Sequence, residues 1–197
     1  MERYIVMRIL LALFVIFTIV FFVVRLASGG DEQPTEPVSS SQESEPLVLS
    51  EQNNSTSSVR FTQVGKINAA EDHREIRFTI TQDERRVELI QGYDGNIIKT
   101  VTLPNTAAAY EEFLFSIESE GFTRAKSEPT VTDSRGQCSH GRRYHYEARA
   151  RGQVYSDLWS TNCGSKIGTF AGSRPRIEKL FERQFPEYRD FERGVQL

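Results

Sequence analysis

Residues 143–161 read RYHYEARARGQVYSDLWST, and the fold turns on how these nineteen are paired. In the first eight, Tyr144, Tyr146, Ala148 and Ala150 alternate with Arg143, His145, Glu147 and Arg149. A period of two, small and aromatic on one side and charged on the other, is a half-buried antiparallel strand. Gly152-Gln153 suits a two-residue type II′ turn with glycine first, so Val154–Thr161 returns as the partner strand. That register sets Tyr146 beside Trp159, Ala150 beside Tyr155 and Asp157 beside Ala148 on the aromatic face. A one-residue slip would instead turn Val154 and Leu158 to the core.

Working outward, Glu75–Thr81 (EIRFTIT) places Ile76, Phe78 and Ile80 on one face with Arg77 and Thr79 on the other. Val87–Ile90 and Ile97–Leu103 are two more strands, joined through Asp94-Gly95, a strong hairpin-turn pair. Asn105 or Thr106 can cap a helix carrying Tyr110, Phe113, Leu114 and Ile117 at i, i+3, i+4 and i+7. Gly121 stands at its left-handed stop, with Phe122 packing back. A short strand from Phe122 to Ala125 is expected next. Ser173 caps a last helix with Pro175 in its first turn, Ile177, Leu180, Phe181 and Phe185 along one side, and Pro186 at its end. The order βββαβββα predicts an α+β domain: an antiparallel sheet of about six strands with two helices on one face.

Ahead of this domain the composition changes twice. Ile9–Val24 is sixteen residues with Thr18 the only polar one. Extended back over residues 5–24 it matches a hydrocarbon core of roughly 30 Å. Arg3 and Arg8 precede the run, and only Arg25 follows it before Arg60. The expectation is an N-terminal anchor over residues 1–26, N-terminus cytoplasmic and the rest outside; secretion after signal cleavage near Ala27-Ser28-Gly29 is the alternative. Residues 27–58 carry six acids and no Lys or Arg, and read as a disordered tether reaching about 30 Å. The domain proper is then 59–197.

Over the whole chain, 38% hydrophobic and 26% charged residues exclude a wholly disordered or multi-pass membrane protein. The domain has 21 basic and 20 acidic residues, against the basic stripe of a nucleic-acid binder. Cys138 and Cys163 flank the 143–161 hairpin at its open end and are expected to be bridged in an oxidising compartment. His73, His140 and His145 have no helical metal-ligand spacing, so neither a metal nor a cofactor is expected. Arg142, Arg143, His145, Arg149 and Arg151 lie on or beside one polar strand face. They form a candidate docking patch for an envelope protein or an anionic polymer. The function expected is therefore non-enzymatic binding or envelope-complex assembly by a membrane-anchored, extracytoplasmic domain. The alternatives are a small hydrolase using His140, His145 or Asp157, and a protease-inhibitor-like domain.

Overall fold

The computed structural model describes residues 48–164 and 166–197. The apolar run 9–24 lies outside them, and no described helix is long and apolar enough to cross a membrane. Six strands form one antiparallel sheet: β1 (Ser58–Val64), β2 (Arg74–Thr81), β3 (Glu84–Gln91), β4 (Asn96–Pro104), β5 (Arg143–Ala150) and β6 (Gln153–Thr161). Their spatial order is β4-β3-β2-β1-β5-β6. The helices are α1 (Ala107–Ser119), α2 (Arg174–Glu182) and the single-turn α3 (Tyr188–Glu192). The α+β architecture with a six-stranded antiparallel sheet is as expected.

The element order is corrected to ββββαββαα. The expected strand after Gly121 is only one isolated bridge, Ala125 to Phe170. The sixth strand is β1, at the centre of the sheet, where it pairs with β2 on one side and β5 on the other. Its sequence, SVRFTQV, has too few alternations to stand out, and Gln63 interrupts its apolar face. Residues 48–57, which composition places in the tether, belong to the folded unit. Leu49 is buried in the core, and its backbone N–H donates to Glu118 Oε1 at 2.9 Å.

The hairpin register is also corrected. Ala150 pairs with Gln153, so the turn is Arg151-Gly152, with φ of 52° and 77°. Both central residues being left-handed makes this a type I′ turn. Arginine is an unusual occupant, and its N–H is held by Thr56 Oγ1 at 3.2 Å, a contact that local pattern does not disclose. A register shift between Ala148 and Arg149 then sets Tyr146 opposite Leu158, and Trp159 opposite His145 on the other side of the sheet. Trp159 is buried there by the loop that brings the Thr132 carbonyl to its Nε1 at 2.8 Å.

The core lies on the other face, where the helices pack. Thr106 Oγ1 caps α1 by accepting from the Ala109 N–H, and Tyr110, Phe113, Leu114 and Ile117 are buried as expected. Gly121 (φ 79°) ends α1, and Phe122 N–H returns to the Ile117 carbonyl at 3.0 Å, closing a Schellman motif. Ser173 precedes α2 without a side-chain cap, a correction; its backbone N–H bonds the Glu120 carbonyl instead. Phe181 of α2 sits at the centre of the aromatic core. Its ring centroid lies 5.4 Å from Phe61, 6.0 Å from Phe78, 5.0 Å from Phe113 and 5.7 Å from Phe122. The expected Cys138–Cys163 disulfide is present, with Cα atoms 5.7 Å apart.

Candidate binding face

The three α-helices of the described residues pack on the face of the sheet that carries Phe61 and Phe78. The opposite face carries the polar alternation of β5: Arg143, His145, Glu147 and Arg149. The neighbouring strands extend it. Across β1, Val64 stands opposite Arg143, Thr62 opposite His145 and Arg60 opposite Glu147. On β2, Arg77 continues the Thr62 row and Glu75 the Val64 row. A shallow concavity of about 270 Å³ lies over this region, lined by Arg60, Arg77, His145, Glu147 and Asp157 among others.

Glu147 is the hub of the charges. It accepts from Arg149 Nε at 2.7 Å and Nη2 at 3.2 Å, and Arg60 Nη1 lies 3.1 Å away. Burial works to raise its pKa, but the Arg149 hydrogen bonds and the Arg60 and Arg149 charges outweigh it and hold the carboxyl below its ordinary value. Asp157 stands directly opposite Glu147 across β5 and β6, a like-charge pairing that is unfavourable by itself and that the two guanidiniums offset. On β2, Arg77 lies 3.9 Å from Glu75 and 4.0 Å from Glu88.

Two donors on this face are buried without a partner among the described residues: Arg60 Nε and Arg143 Nε. Arg143 is only 8% exposed and donates through Nη2 to the Gly65 carbonyl at 3.3 Å. Burial lowers the pKa of both guanidiniums. The face is thus a mixed-charge surface that retains unspent donor capacity.

His145 is half-buried between these groups. Burial lowers its pKa, Asp157 pulls it back up, Arg143 lowers it further, and Glu75 and Glu147 raise it; the net direction is down. As pH falls, the unfolded chain therefore takes up this proton before the folded one. Stability should decline as pH is lowered from above the ordinary histidine value, about 6.5, through the folded value, and level off below it. Thermal melts between about pH 8 and about pH 5 check this: His145→Gln should flatten the decline in that window. An unchanged slope in the variant would locate the effect elsewhere.

Of the five candidate binding residues, Arg143, His145 and Arg149 share this face. Arg142 lies before β5, where its N–H bonds Asn162 Oδ1 at 2.8 Å, and its side chain lines a cleft on the helix side with Glu178. Arg151 is exposed in the hairpin turn. Sequence reasoning missed Arg60, on the strand it did not find. It had Arg77 on the correct face of β2 but no strand order to bring it beside β5. His145 and Asp157 line one concavity, whereas His140 is exposed in the loop after Cys138. Both cysteines are bridged, and among the described residues no group of three or more His, Cys, Asp or Glu is placed to hold a metal ion. No protein-family model matches the chain, and no curated protein matches it in sequence.

Proposed function

We propose that the chain is a membrane-anchored, extracytoplasmic binding domain whose helix-free sheet face docks a protein partner at the cell envelope. The observation that carries this reading is the asymmetry of the sheet. One face is packed by helices; the other presents a charged surface held in place by Glu147 with Arg60 and Arg149, and by Arg77 with Glu75 and Glu88. Charges held in fixed positions favour specificity and orientation in a complex more than raw affinity. Interspersed carboxylates favour a partner of mixed charge over a uniform polyanion, which Glu147, Glu75 and Glu88 would repel. The apolar run over residues 5–24 supports the anchor, and the disulfide suits an oxidising compartment.

Photo-crosslinking in the native cell tests the docking face. A photoreactive residue replacing Thr79, on the outer face of β2, should give a discrete crosslinked species; the same residue replacing the exposed Glu112 of α1 should give none. Crosslinks from position 112 alone would move the partner to the helix side, and none from either would overturn the reading. Protease added to intact cells should digest the domain, and its full protection would overturn the placement.

A further inference from the structure

On the helix side of the sheet, away from the proposed docking face, β1 presents Gln63 where its row neighbours are Ile76 and Tyr144. Gln63 is 2% exposed, and its Nε2 amide has no hydrogen-bond partner among the described residues. Leaving a buried donor unpaired costs a fold its full desolvation penalty. A polar side chain at the centre of a sheet, facing the core side and left unsatisfied, points to an acceptor that arrives from outside the fold. The space for one is present. Gln63 lines an open cleft of about 400 Å³ between the sheet, α2, α3 and the segment that follows α3. That volume lies in the range of small-ligand sites.

The chemistry of the cleft narrows the ligand. Glu178 and Glu182 stand one turn apart on α2, and Glu192 of α3 completes a group of three carboxylates, with Arg142, Arg189 and Arg193 also lining it. Like charges at i, i+4 repel. Burial raises the pKa of both Glu178 and Glu182, and Glu192 adds to each. The chain's own cations answer only in part. Arg174 reaches Glu178 at 3.1 Å while lying over the Tyr144 ring, and Lys179 approaches Glu182 at 3.7 Å. A bare anion would satisfy Gln63 but meet three carboxylates. A bare cation would suit the carboxylates but leave the Gln63 donor unpaired. Both needs are met by one group.

We propose that this cleft binds a small ligand bearing a free primary ammonium next to a carbonyl oxygen, the pattern of a peptide's amino terminus. The ammonium lies among Glu178, Glu182 and Glu192, the first carbonyl accepts from Gln63 Nε2, and the arginines take the oxygens that follow.

The full chain in detergent micelles, titrated calorimetrically with tri-alanine and with N-acetyl-tri-alanine, tests this. Tri-alanine should bind saturably, and acetylation of its amine should weaken binding at least about tenfold. Gln63→Leu should weaken tri-alanine about tenfold as well. Glu182→Gln, on the more accessible wall, should do the same and serves if the Gln63 variant fails to fold. No saturable heat up to about 10 mM tri-alanine would mean that the cleft holds solvent only, and would overturn the proposal. Equal binding of the acetylated peptide, or undiminished binding by the folded variants, would overturn it too. The outer-face crosslinking pattern bears on neither result, so the two proposals fail separately.

Discussion

Phe181→Ala is expected to lower the unfolding free energy by about 3–5 kcal/mol, the range for truncating a buried aromatic. Phe181 is fully buried, and its ring meets four others, drawn from β1, β2, α1 and the chain just after α1. The cavity therefore opens where the sheet and both main helices meet, and no single element can close it by shifting. Chemical denaturation of the full chain, followed by fluorescence, measures the loss. Trp159 is the only tryptophan, it is buried at a strand of this sheet, and it reports this unit alone. Phe181→Leu should cost markedly less, because most of the volume remains. A loss below about 1 kcal/mol for the alanine variant would mean that α2 does not key the core as described.

Replacing Cys138 and Cys163 together by serine should cost roughly 3–4 kcal/mol on the chain-entropy account for a loop of this length. The bridge joins residues 25 apart and ties the loop before β5 to the end of β6. Gly141 shows how closely that corner is packed: a Cβ there would meet Cys138 Sγ at 2.6 Å and Cys163 Sγ at 2.8 Å. The glycine's role is one of close approach rather than of backbone conformation. Non-reducing mass spectrometry should show the linked peptide pair, and denaturation of the double variant should show the loss. The Thr79 crosslink should persist in that variant, because the bridge lies at the open end of the hairpin and contributes no donor to the binding face. Two freely alkylatable thiols in protein from its native compartment would refute the bridge.

By itself the sequence determined the elements with enough local signal to stand alone. The alternation in β2 and β5, the 3.6-residue spacing of Tyr110, Phe113, Leu114 and Ile117, and the Gly121 stop are all local, and each is found where it was read. The cysteine pairing was legible because it needed only the hairpin, and a register wrong by one residue leaves the ends of its strands almost level. The tertiary structure decided the rest. Type II′ and type I′ turns at Arg151-Gly152-Gln153 differ by one residue, and the choice rests on the Arg151 N–H reaching Thr56, 95 residues away. The register shift between Ala148 and Arg149 then put Trp159 and Asp157 on the outer face beside His145, and so composed the surface proposed to bind. The place of β1 at the sheet centre follows from pairing with two strands that lie on either side of it in space, one of them about eighty residues downstream, which no period within seven residues can encode. Gln63 is the sharpest case. In the sequence it interrupts a weak pattern. In the fold it becomes a buried donor lining a cleft that three carboxylates also line, because the two C-terminal helices close over the first strand of the sheet.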